Sequence, residues 1–407
     1  MKQKKTIVLM GRLDSKGKEY AYVRDKILLG DFNVIVVDTG TRGVPQFKPD
    51  ISREEVARAA GLDIQDVVNR SDESKEIEVM MAGASTIARR LQDSGELDGI
   101  MCLGGSRGTA IGTAAMRALP FGIPKVMVST IASSDMRPYV GTRDITIIHS
   151  VTDIAGLNSM TKRLLAYAAG AVMGAVAVDP EPEVSSKPVI AMSAMGGINR
   201  AAFKAQEVLE DRGFEVVTFH AVGTGGQAME EAIGQGLING VLDLDTHELI
   251  DHVYGGYYDA GPERLETAGR KGIPQVVVPG CLDFIAFSPP EKIPEDIRKR
   301  KLFFHTPEVA IVRANKVEMA FTGKTMAEKL NKAVGPAAVV IPAKGFSPGN
   351  RQDRDLYDPE ADGAFLKALK QDLKPAVKIV ELDMHINEEA FAEQAVDQLC
   401  RMMEGRE

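Results

Sequence analysis

Two glycine-rich loops hold the residues of this chain best suited to chemistry, and that chemistry is phosphate capture. In Gly11-Arg-Leu-Asp-Ser-Lys-Gly-Lys-Glu19, Asp14 and Ser15 can cap a helix, Lys16 supplies a charge and Gly17 permits close backbone approach. A plain helix cap with solvated lysines would use the same residues, and the spacing is not that of a P-loop. The second loop, Leu103-Gly-Gly-Ser-Arg-Gly-Thr-Ala110, follows an apolar run and precedes a helical one. Gly104, Gly105 and Gly108 with Ser106 and Thr109 form an anion nest at a helix start, and Arg107 stands inside it. A tight turn packing a helix on its strand is the alternative. Thr130, at another strand end, joins the phosphate set. Asp135, Asp144 and Asp153 follow in hydroxyl-rich loops; Asp135 and Asp153 are the expected ligands of a magnesium ion bridging phosphates, although caps and turns use aspartates too.

The second half offers a different set. His220 ends an apolar run beside Gly223-Thr-Gly-Gly226, with Glu230 onward in the next helix, and a histidine there suits proton transfer. His305 follows Leu302-Phe-Phe, while Arg313 and Lys344 are candidate anchors for a carboxylate or phosphate. The run Asp243-Leu-Asp-Thr-His-Glu-Leu-Ile-Asp-His252 resembles a metal cluster only at first sight. Asp245 and Glu248 fit a capping box, and His247 and His252 stand about 140° apart around a helix.

These loops need elements to hold them. Strands at 6–11, 33–38 and 98–103 alternate with helices at 17–29 and 78–93, and the pattern recurs with strands at 189–194, 214–219 and 239–243. Gly122-Ile-Pro and Gly272-Ile-Pro each feed an apolar β-branched run, as a loop entering a buried strand does. The expected fold is α/β: two doubly wound, Rossmann-like parallel sheets facing an interdomain cleft. A nucleotide-binding unit spans 1–180, a linker rich in proline and acid 181–188, and a second α/β unit 189–407. The uncharged stretch Leu164 to Val178 is too short to span a bilayer and reads as a buried helix, with Gly170 and Gly174 allowing close packing inside the subunit or across a dimer.

Composition narrows the class. Net charge is −8 with basic residues dispersed, so neither nucleic acid nor a membrane is an expected partner. Three cysteines without close pairs fit a reducing compartment, and the apolar run after Met1 is too short for the core of a secretory signal, so the cytoplasm is the expected location. No nucleophile elbow appears.

The order of these motifs resembles a known family. Leu13-Asp-Ser-Lys-Gly-Lys-Glu19, Gly104-Gly-Ser-Arg-Gly-Thr109, Tyr139-Val-Gly141, Ser150 through Asn158, His220 with Gly223-Thr-Gly-Gly226, and Ala260-Gly-Pro-Glu-Arg-Leu265 are similar to the ATP-binding N-terminal region of the tomato mosaic virus resistance protein and its bacterial and fungal relatives. The resemblance runs over essentially the whole chain. It implies two α/β subdomains, a homodimer, and ATP with magnesium on loops of the first subdomain; it supplies no reaction. Arg107 stands where the family loop more often carries glycine.

The expectation is therefore a cytoplasmic ATP- and magnesium-binding protein, using ATP on an unidentified small molecule if it is an enzyme, by phosphoryl transfer or ATP-dependent chemistry on a small acid. The alternatives are a non-catalytic nucleotide-sensing module, or a hydrolase or lyase for a small organic or sugar acid with His220 as base.

Overall fold

The computed structural model describes residues 4–69, 72–178 and 186–405. The chain divides between residues 182 and 183 into two compact units. Residues 181–185 of the expected linker lie outside the described residues.

The first unit is a sheet of five parallel strands, β1 (Thr6–Gly11), β2 (Asn33–Asp38), β3 (Gly99–Gly104), β4 (Lys125–Ser129) and β5 (Thr146–His149), in the order β2-β1-β3-β4-β5. Apolar runs become strands here because both faces are covered. Side chains alternate along a strand. Thus Val8 and Met10 enter a core with the helices Glu73–Asp93 and Ser106–Arg117, whereas Ile7 and Leu9 enter another with Leu13–Leu29 and Ser159–Ala177.

The second unit repeats that plan with one more strand. β6 (Val189–Ala194), β7 (Glu215–His220), β8 (Gly240–Asp243), β9 (Gln275–Val277), β13 (Ala337–Pro342) and β14 (Val377–Leu382) make a parallel sheet ordered β7-β6-β8-β9-β13-β14. Between β9 and β13 lies an element the sequence reading lacks. β10 (Phe284–Phe287), β11 (Leu302–Thr306) and β12 (Val309–Arg313) form a small antiparallel sheet. Its strands are four or five residues long, too brief for periodicity to mark them.

In both sheets the strand order reverses beside the first strand of the unit, at β1/β3 and at β6/β8. Crevices at such reversals receive ligands in doubly wound folds.

The helix Ser159–Ala177 is not buried all round. Leu165, Ala168, Ala169, Val172 and Val176 face the core. Gly170 and Gly174 face outward, with nothing within 4 Å of a Cβ at either. They mediate no close packing inside the unit. Among the described residues no helix is long and apolar enough to cross a membrane.

Candidate functional site

In the first unit the chain leaves β1 at Gly11, where a Cβ would stand 1.8 Å from the Tyr20 hydroxyl oxygen. Gly11 is thus a packing requirement, as is Gly17, whose Cβ would meet Gln46 at 2.6 Å. The helix Leu13–Leu29 begins at once and breaks locally at Lys16 (φ −127°, ψ 21°). Its Nζ bonds the Ile154 carbonyl and lies 3.9 Å from Asp153 Oδ1.

The donors of this turn are partly spent. Asp38 Oδ1, at the end of β2, accepts from Leu13 N at 3.0 Å and Gly40 N at 2.8 Å. Asp14 does not cap its own helix. Its Oδ2 accepts from Arg42 N at 2.9 Å, with Arg12 Nη2 3.4 Å away.

The second loop is open. Gly105 occupies the cap position of Ser106–Arg117 with extended backbone, and no side chain caps that helix. The N–H groups of Ser106, Arg107 and Gly108 lie in its first turn, where the residues four back belong to β3 and offer no helical carbonyl. A Cβ on Gly105 would meet only Thr130 Oγ1, at 3.5 Å. Arg107 pairs with Glu73, which also holds Arg42 at 2.6 Å.

Both loops line one cavity of about 380 Å³, Arg12, Ser15 and Lys16 from the first and Gly104 to Gly108 from the second. Asp153 borders it as well. Thr109 does not. Its buried hydroxyl lies 2.8 Å from Ser129 Oγ and braces β4. Thr130 reaches the loop through its own N–H, donated to Gly104 O at 3.2 Å. Asp135 is exposed and engages the Arg137 guanidinium, away from the cavity lining, while Asp144 is held by Lys125 at 2.6 Å. Among the described residues no three His, Cys, Asp or Glu side chains cluster as metal ligands.

In the second unit the five expected residues separate. His220 and His305 line a cavity of about 670 Å³ at the carboxyl edge of the sheet. Glu230 is buried elsewhere, accepting from Leu265 N at 2.7 Å and Thr267 N at 2.9 Å. Arg313 is committed to Asp362 Oδ1 (2.5 Å) and to the Asp283 and Asp358 carbonyls. Lys344 lines a different cavity and pairs with Asp383.

Beneath the sheet edge lies a charge cluster that local spacing does not reveal. Arg264, fully buried, bonds Asp243 through both Nη atoms (2.5 and 2.7 Å) and Glu248 through Nε (2.7 Å). Glu248 also accepts from Gly223 N and Gly226 N, so it anchors the His220 turn instead of closing a capping box. Burial pushes the Glu248 carboxyl up, with Arg264 opposing.

Beside this, His247 Nε2 lies 3.2 Å from Asp251 Oδ2, an ion pair whose geometry falls short of a hydrogen bond, and Nδ1 lies 2.8 Å from Cys281 O. Burial works against the charged ring, but Asp251 and then Asp245 outweigh it and lift its pKa to about 9. Burial raises Asp245 to about 7. His252 is half-exposed and pairs with Asp259, so the two histidines serve separate contacts.

The comparison with family models decides the relationship. The N-terminal domain of the uncharacterised protein family UPF0261 matches residues 5–181, and the C-terminal domain of that family matches 187–403.

This chain belongs to the UPF0261 family.

A UPF0261 protein of Clostridium tetani is 44% identical over 98% of this chain and 99% of its own length. The tomato ToMV resistance protein Tm-1(GCR237) is 36% identical over 79% of this chain and 44% of its own length. Among solved structures, a UDP-N-acetylglucosamine 2-epimerase aligns over 68% of this chain and 79% of that chain, at 11% identity and a TM-score of 0.25, and carries no argument about chemistry. In this UPF0261 chain the N-terminal domain holds the uncapped helix start, and the C-terminal domain holds the cavity lined by His220 and His305.

Proposed function

We propose that this UPF0261 protein binds ATP with magnesium in the crevice at β1/β3. The single observation that carries the reading is the uncapped turn at Gly105 to Gly108, facing Ser15 and Lys16 across one cavity. Backbone N–H groups at a helix start, together with a nearby cation, suit phosphate oxygens. ATP in particular, and magnesium with it, are what the family resemblance implies.

The donors divide the work unequally. Leu13 N is already satisfied by Asp38, so the second loop supplies the backbone contacts and the first supplies the Ser15 hydroxyl and the Lys16 ammonium. Asp153, exposed at the rim, is the carboxylate placed to meet a cation arriving with phosphates. Bound magnesium would neutralise charge between phosphate oxygens.

On this reading the protein works in the cytoplasm, which its three free, buried cysteines support, and as a homodimer, for which the outward Gly170 and Gly174 leave a close-approach face. A small-molecule acid is the proposed co-substrate, and a nucleotide sensor without turnover the competing reading. Isothermal titration with ATP and magnesium tests the binding, and product analysis separates sensor from enzyme. Heatless titrations at millimolar ATP would end the nucleotide assignment.

A further inference from the structure

The cavity at the carboxyl edge of the second sheet is graded from apolar to cationic. Its buried floor is made of Cys281, Phe284 and Leu356, and β11 and β12 add Phe303, Val309 and Ile311 as a wall. Four cationic or titratable side chains, His220, His305, Arg351 and Arg354, are exposed and stand at its rim.

Their bonding states differ in an informative way. His220 Nδ1 lies 3.1 Å from the Ala194 carbonyl, which can only accept, so Nδ1 carries a proton and Nε2 is the nitrogen left without a protein partner. His385, also on the lining, has both nitrogens engaged. Nδ1 accepts from Asn387 N at 3.2 Å, so Nε2–H donates to Ser347 O at 3.0 Å and the ring is neutral. Burial lowers its pKa in the same sense.

The permanent positive charge on the lining is that of Arg351 and Arg354. Neither guanidinium has a hydrogen bond or ion pair with the described residues, whereas both Nη atoms of Arg313 are bonded. The lining carboxylate, Asp355, is held by Lys301 at 2.7 Å.

We propose that this cavity is a second binding site, independent of the nucleotide reading, for a small carboxylic acid with an apolar body. The body lies against Phe284, Phe303 and Ile311, and the carboxylate meets the forked donors of Arg351 and Arg354. An inorganic anion fits poorly, because the floor offers it nothing but apolar surface to desolvate against.

Met195 lines the same cavity and reports on it. Full-length protein carrying methyl-13C methionine is titrated with hexanoate, hexan-1-ol and inorganic phosphate, the Met195 resonance being assigned with Met195→Leu. Hexanoate moves that resonance with a dissociation constant on the order of millimolar, as suits so small a ligand. Hexanol and phosphate at equal concentration move it far less. The double variant Arg351→Met, Arg354→Met weakens hexanoate about tenfold or more, the scale of a charge-assisted contact. The other methionine resonances certify its fold; should they collapse, Arg354→Gln alone replaces it, with the same direction expected.

Equal response to hexanol, tighter binding of phosphate, a still Met195 resonance, or unchanged affinity in the arginine variants would each overturn the proposal. ATP binding, measured separately on the same samples, stands or falls without touching this result.

Discussion

Tyr20 and Leu103 are joined through the tyrosine hydroxyl. The Tyr20 hydroxyl accepts from Leu103 N at 2.9 Å and lies 3.0 Å from Leu103 O, while its single proton has Met10 O closest, at 2.7 Å. β1 and β3 pair only from Ile7–Gly99 to Leu9–Met101, so this hydroxyl fills the gap where the two strands part. The gap lies directly below the two loops of the proposed nucleotide crevice.

Tyr20→Phe removes that bridge and leaves Leu103 N and Met10 O buried without it. An unsatisfied buried group costs about 1–3 kcal/mol. Urea unfolding should show a loss of that size with an unchanged m-value, and ATP affinity should fall with it because the loops lose their common support.

Gly105→Val probes the crevice with little cost to the fold. Its backbone is extended, and only Thr130 Oγ1 lies within 4 Å of the new Cβ. The expected result is ATP binding reduced by about tenfold or more, the scale of one lost contact to a charged group, at nearly unchanged melting temperature. Lys16→Ala should weaken ATP less, since its ammonium must first leave the Ile154 carbonyl and Asp153. Calorimetric titration ranks the two.

Arg264→Met leaves Asp243 and Glu248 as buried carboxylates without their cation. Removing one partner of such a network costs about 3–5 kcal/mol. The deficit should shrink on acidification, because burial already favours the protonated form of Glu248. A uniform deficit across pH, read by denaturant unfolding, would contradict this account.

Stability should fall on the alkaline side through His247. Its pKa is raised from 6.5 to about 9 in the folded chain, so its contribution is complete below pH 6.5 and is lost as pH rises through about 9. The full loss is about 3 kcal/mol. Asp245, raised from 3.8 to about 7, acts with the same sign in a lower window, destabilising the fold as pH climbs from about 4 to 7. Unfolding midpoints at pH 6.5 and 9.5 should differ in the wild type and converge in His247→Asn.

Local pattern determined much of this protein. Apolar runs bounded by glycine turns gave the alternation of strands and helices, and glycines beside hydroxyls after β1 and β3 marked anion-binding loops, because strand burial and helix starts are short-range properties of the chain. Periodicity was silent on the sheet β10-β12-β11, whose strands are too short to carry a period.

Tertiary packing decided which marked residues remain available. Thr109 turned to Ser129, Glu230 to the amides of Leu265 and Thr267, and Arg313 to Asp362, whereas Arg351 and Arg354, unremarkable in sequence, line the cavity beside His220. The strand orders β2-β1-β3 and β7-β6-β8 set two distant loops side by side in each unit. A donor is free or spent according to what the fold places within about 3 Å of it, and those neighbours stand tens of residues away along the chain, beyond the reach of any local pattern.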